Sequence, residues 1–221
     1  MTLIAFHHAG GSPAAFTTWR RRFSPNIRIV SASLPGREKL NSYGSNDVGS
    51  ILNDLAEQLR GETSAPYAIY GHSMGGTIGF AFAMHQAAHG RTAPRALMVG
   101  ACVAPTSVLP VPPSEIGGAA GGAERHVGTG VAAIKRRQLA EDLLLLDRVR
   151  AYCTTNFDQP AQFPIRVFTG SDDPLSANPE SWATVCARGV QVERIDGGHF
   201  FHRNPEFIGR VDQHCSDLLV A

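Results

Sequence analysis

Six short apolar runs recur along the 221-residue chain, at Leu3–Phe6, Ile27–Val30, Tyr67–Tyr70, Ala96–Val99, Ile165–Phe168 and Val190–Ile195. Between them lie stretches of helical spacing, at Val48–Leu59, Thr77–Ala88, Pro179–Ala187 and Pro205–Leu219. No other feature constrains the fold as tightly. Buried strands that alternate with helices build a mostly parallel sheet covered on both faces, whereas a sandwich would lack the intervening helices. The expected architecture is therefore one α/β domain over residues 1–221. The rhythm breaks from about Pro105 to about Gly130, where Pro110-Val-Pro-Pro113 and Gly117-Gly-Ala-Ala-Gly-Gly122 can bury little surface. A helix is expected next, over Ile134–Cys153 with the apolar block Leu143–Leu146, so that about 105–153 reads as a lid insertion after a central strand.

The chemistry starts at Gly71-His-Ser-Met-Gly75, which directly follows one apolar run and directly precedes a helix. In such an elbow the serine occupies a sharp, strained strand-to-helix turn that pushes Oγ out above the sheet. Glycine is needed two residues to either side, because a side chain there would strike backbone. Ser73 is thus the expected nucleophile. A serine hydroxyl needs an adjacent base. His199 in Asp196-Gly-Gly-His-Phe200 follows the last strand, and the two glycines allow a tight loop at the sheet edge.

The other histidines fit the role less well. His85, His89 and His214 fall within expected helices, His126 lies in the Gly-rich stretch, and His72 should face away from the reacting centre. His202 pairs with His199 at i+3, but no third ligand at metal spacing accompanies them, and no metal is expected.

The orienting carboxylate should follow a strand end between Ser and His. The segment Gly170-Ser-Asp-Asp-Pro174 offers Asp173, the preferred residue, and its neighbour Asp172. An oxyanion needs preorganised donors, each worth roughly 3 kcal/mol of barrier. The Met74 N–H is one. The turn His7-His-Ala-Gly-Gly11 supplies the second, from Ala9 or, as the alternative, His8. This turn is expected to lead into a helix over Ser12–Arg22. The pattern Gly128-Thr-Gly-Val-Ala-Ala133 follows no strand and is set aside as a dinucleotide loop.

Composition narrows the function classes. The formal net charge of +1 argues against a nucleic-acid binder, and Lys135, Arg136 and Arg137 read as a solvated helix face. Cys102, Cys153, Cys186 and Cys215 are scattered among apolar residues and read as buried free thiols in a reducing compartment. No apolar run is long enough to span a bilayer, and the N-terminus lacks a signal-peptide pattern, so a cytoplasmic protein without membrane contact is expected.

Five motifs in order resemble the type II thioesterases that accompany polyketide synthases and nonribosomal peptide synthetases. They are His8-Ala-Gly-Gly-Ser12 with Phe16 and Trp19, Leu34-Pro-Gly-Arg-Glu38, the Ser73 elbow, Gly170-Ser-Asp-Asp-Pro174 and Gly197-Gly-His-Phe-Phe201. The resemblance implies an α/β-hydrolase fold. It also implies hydrolysis of acyl groups from the phosphopantetheine arm of an acyl or peptidyl carrier protein, with no cofactor of the enzyme's own. It places the triad on Ser73, Asp173 and His199, and the oxyanion donors on Ala9 and Met74. A monomer or weak oligomer is expected. Composition and spacing alone reach only a serine hydrolase. That coarser reading leaves open a carboxylesterase, a cyclase or acyltransferase that resolves the acyl-enzyme with an internal nucleophile, and a non-catalytic binding protein. One departure stands out. The family's longer helical insertion is replaced here by the short Gly/Ala-rich stretch, which bears on substrate range.

Overall fold

A computed structural model describes residues 1–35, 47–109, 129–176 and 178–220. Gly36, Arg37 and Glu38 of the second motif, His126 and most of the Pro/Gly/Ala-rich stretch lie outside the described residues.

Six strands form one sheet: β1 (Thr2–Phe6), β2 (Arg28–Ser31), β3 (Tyr67–His72), β4 (Leu97–Gly100), β5 (Ile165–Gly170) and β6 (Val190–Ile195). Their order is β2-β1-β3-β4-β5-β6, and every neighbouring pair is parallel. The helices are α1 (Val48–Gln58), α2 (Arg60–Thr63), α3 (Met74–Ala88), α4 (Thr129–Asn156) and α5 (Pro205–Val220).

Side-chain alternation along each strand sorts the core into two layers. Ile4, Phe6, Ile69, Leu97, Val99, Ile165 and Val167 face α1, α3 and α4, whose Ile51, Leu55, Ile78, Phe82, Leu145 and Val149 close that side. Leu3, Ala5, Ala68, Tyr70, Met98 and Phe168 face the other way, onto Phe16, Trp19 and the α5 residues Phe207, Ile208, Val211 and Cys215. Asp47 caps α1 by accepting from the Ser50 N–H at 2.9 Å. α3 is buried from Met74 through Gln86, because it lies between the sheet and both α1 and α4. Its sequence accordingly shows no polar face.

Two expected helices take another form. Ser12–Arg22 folds as two 3₁₀ turns, Pro13–Phe16 and Trp19–Arg21, and Pro179–Val185 is also 3₁₀. Phe16 and Trp19, like Trp182 and Val185, are buried residues three apart, which a three-residue turn stacks on one side. β6 was expected to be buried, yet it is an edge strand and leaves Val192 41% exposed. The α4 helix runs beyond Ile134–Cys153 at both ends. Cys102, Cys153 and Cys215 are buried free thiols, while Cys186 is only half-buried.

The winding order places the site. From β1 the chain steps outward to β2, then returns across β1 to β3 and proceeds in the opposite direction. The crevice outside the carboxyl ends of β1 and β3 is therefore the topological switch point, where open α/β sheets bind ligands.

Candidate active site

Ser73 sits between the last residue of β3 and the first of α3, at φ 54° and ψ −121°. This left-handed backbone costs on the order of 1–3 kcal/mol and must be imposed by its surroundings. The Ser73 N–H donates to Gly100 O at 2.7 Å, and the Gly76 N–H donates to Ser73 O at 2.8 Å. A Cβ on Gly71 would collide with the Gly75 carbonyl and lie 2.5 Å from Gly76 N. One on Gly75 would collide with the Phe6 carbonyl and lie 2.7 Å from His7 O. Both glycines are thus required by backbone passing at contact distance, the second by the end of β1 itself.

His199 occupies the loop after β6. Its Nδ1 lies 3.0 Å from Asp173 Oδ2, and the Asp173 side chain is fully shielded from solvent. A carboxylate only accepts, so Nδ1–H donates and Nε2 is left as the basic nitrogen. The second Asp173 oxygen accepts from the Leu175 N–H at 3.0 Å, which fixes the carboxylate plane. Asp172 is exposed, and its N–H donates to Gly197 O at 3.1 Å. The Asp172 backbone therefore stitches the two loops together while the Asp173 side chain meets the imidazole. Gly197 aids this at φ 120°, with its N–H donating to Ser171 Oγ at 3.0 Å.

Sequence reasoning missed His72. It is fully buried, and its Nε2 lies 2.7 Å from the His199 carbonyl. A carbonyl accepts, so Nε2 carries the proton, and Nδ1 accepts from the Tyr70 hydroxyl at 2.8 Å. The residue before Ser73 thereby holds the main chain of His199. The signal was present as a histidine inside an apolar strand end, but its partner lies 127 positions away.

The β1 loop that holds His8 and Ala9 is gripped by α4. The Gly10 N–H donates to Asp142 Oδ2 at 2.6 Å, Gln138 Nε2 donates to Gly11 O at 3.4 Å, and Leu139 packs on Gly10. Asp142 is wholly buried. Its bond occupies the Gly10 N–H and ties this helix to the loop that holds Ala9. The Met74 N–H lies in the first turn of α3, where amides have no intrahelical acceptor.

Beside Ser73 lies a cavity of about 30 Å³, walled by Met74, Thr77, Val103, Leu146, Arg150 and Leu175, among others. Cys102 also lines it, but burial pushes that thiol up to about 11, so it stays protonated and is no rival nucleophile. Among the described residues no group of three or more His, Cys, Asp or Glu side chains is arranged to hold a metal ion. Among those residues no helix is long and apolar enough to cross a membrane.

The His72 and His202 rings lie tilted against each other with centroids 3.9 Å apart, and both ring nitrogens of His202 are buried without a hydrogen-bond partner among the described residues. Burial holds both imidazoles well below their ordinary value, so both are neutral in the fold. Above about pH 6.5 this has no effect on stability. As pH falls through 6.5 the unfolded chain takes up protons that the native state refuses, so stability drops by about 1.4 kcal/mol per pH unit for each histidine. Urea unfolding midpoints should therefore stay level from pH 7.5 to about 6.5 and fall from there to pH 5.5, less steeply in His202→Phe. A flat profile would contradict the buried neutral pair.

A parallel sheet with a strained serine at a strand-to-helix turn, and a histidine–carboxylate pair on the loops after β5 and β6, defines the α/β-hydrolase class. Within that class the chain belongs to the thioesterase domain family, whose pattern it matches over residues 1–217. Among curated relatives it is 28% identical to the gramicidin S biosynthesis protein GrsT of Aneurinibacillus migulanus, covering 91% of this chain and 82% of that one. It is 27% identical to a probable cadicidin biosynthesis thioesterase of Streptomyces griseus, covering 90% of this chain and 57% of that protein. The fold is similar to that of ClbQ from the colibactin NRPS/PKS pathway, with a TM-score of 0.81, 24% identity and coverage of 99% and 98%.

Proposed function

We propose that this protein is a type II thioesterase that hydrolyses acyl groups from the phosphopantetheine arm of a carrier protein in the cytoplasm, through Ser73, His199 and Asp173. One observation carries the reading: an imidazole bonded to a buried carboxylate, on a loop tied through His72 to the residue that precedes the serine. Ser73 Oγ attacks the thioester carbonyl while His199 Nε2 takes its proton. The negative oxygen that forms is met by the N–H groups of Ala9 and Met74. Asp173 stabilises the imidazolium, which then returns its proton to the departing thiolate. Water enters, His199 removes its proton, and the second tetrahedral intermediate collapses to free acid and Ser73. The enzyme needs no cofactor, since the phosphopantetheine belongs to the substrate.

The test is a set of acyl thioesters on one carrier protein and on N-acetylcysteamine, with products weighed by mass spectrometry. Release of free acid, gaining the mass of water, is the expected product. A dehydrated product of carrier release would assign an internal nucleophile and a cyclase instead. Activity on oxygen esters alone would assign a carboxylesterase. Failure of a fluorophosphonate to label Ser73 would remove the serine mechanism altogether.

A further inference from the structure

The wall of the cavity beside Ser73 is mostly aliphatic, with one cationic exception. Arg150, on the C-terminal half of α4, is half-buried and lines the cavity together with Met74, Leu146 and Leu175. Its guanidinium donates to two main-chain carbonyls of the segment that follows β4, Ala104 O at 3.3 Å and Ser107 O. It forms no ion pair with any carboxylate among the described residues. The acidic side chain that influences it, Asp147, is exposed one turn earlier on the same helix.

A guanidinium has five N–H donors in a planar fork and stays charged near neutral pH. Two carbonyls engage part of that fork, and none of its nitrogens is sealed from solvent without a partner. A cation at an apolar wall is costly unless an anion meets it. The described residues supply none there, and the cavity opens on Ser73, so a substrate can bring one.

We propose that Arg150 is a specificity-determining residue and that the chamber takes acyl thioesters whose acyl group carries its own carboxylate. The proposal rests on the thioesterase reading above. A guanidinium pairs with a carboxylate through two parallel N–H groups, a match that an ammonium lacks. Phosphate on the pantetheine arm is the other anion in such a substrate, but it lies at the far end of the arm from the thioester. N-acetylcysteamine thioesters lack that phosphate, so a charge preference measured with them comes from the acyl group.

The experiment compares succinyl- and pentanoyl-N-acetylcysteamine, which are similar in length and differ in the terminal charge. Wild type, Arg150→Met and Arg150→Lys are measured at pH 7.5, with Ser73→Ala protein giving the spontaneous background. Wild type should favour the succinyl thioester in kcat/KM by about 10- to 100-fold, the size of a charge-assisted contact. Arg150→Met should reverse that ratio by losing far more activity on the succinyl thioester than on the pentanoyl one, and Arg150→Lys should keep part of the preference. Thermal unfolding of each variant is followed in parallel. If Arg150→Met fails to fold, the wild-type and Arg150→Lys ratios decide. A wild-type preference for pentanoyl, or an equal loss on both thioesters in Arg150→Met, overturns the assignment of Arg150 and leaves the thioesterase reading standing. No turnover of any thioester, with Ser73 unlabelled by fluorophosphonate, overturns both.

Discussion

Ser73→Ala lowers kcat/KM for acyl thioesters by about 10⁶-fold, the scale on which loss of a serine nucleophile is felt in triad hydrolases. It also abolishes fluorophosphonate labelling, while the urea midpoint stays close to that of the parent. The two readouts separate because Ser73 plays two parts. Its backbone, at φ 54° between β3 and α3, is held by Gly100 O and by the Gly76 N–H, and alanine keeps both bonds. Its side chain makes no cap on α3, so removing Oγ costs the helix no hydrogen bond. What disappears is the atom proposed to attack. Cys102 cannot substitute for it, because its thiol ionises only near 11. Residual turnover above about 1% of wild type, far beyond what oxyanion stabilisation alone sustains, would mean that some other group attacks.

Asp173→Asn lowers kcat by about 10⁴-fold, and Asp172→Asn changes it by less than about twofold. The first replacement is nearly isosteric. The amide oxygen can still accept from the Leu175 N–H at the Oδ1 position, so the loop keeps its shape. The atom that faces His199 Nδ1 becomes an N–H₂ group, which donates where the carboxylate accepted. The imidazole must then place its proton on Nε2, and the nitrogen needed as base is blocked. The lost charge also leaves the imidazolium without its buried counter-charge. Asp172, by contrast, is exposed and contributes through its main chain, which asparagine preserves. Comparable losses in both variants would point to a collapsed loop; a loss confined to Asp172→Asn would reassign the carboxylate.

Much of this was legible in the sequence where the cause is local. The strand before Ser73 and the helix after it could be read from four apolar residues and a glycine pair, because the turn is made by contacts within a few residues, as Gly71 against Gly75 shows. The 3₁₀ turns around Phe16 and Trp19 were misread as one helix. Apolar residues three apart fit either helix type, and packing onto Tyr70 and Phe207 made the choice. The same holds for β6, whose apolar run was read as buried although it ends the sheet.

By itself, then, the sequence determined the alternation that builds a parallel sheet, the elbow at Ser73, and a shortlist of bases and acids at strand ends. Tertiary structure brought Asp173 rather than Asp172 to His199 Nδ1, gave His72 its grip on the His199 loop, tied Gly10 to Asp142 and put Arg150 at the wall beside Ser73. The physical reason is range. Backbone strain and strand periodicity arise among neighbours a few positions apart. A hydrogen bond between residues 127 or 132 positions apart exists only once the winding of the sheet has brought their loops to one crevice.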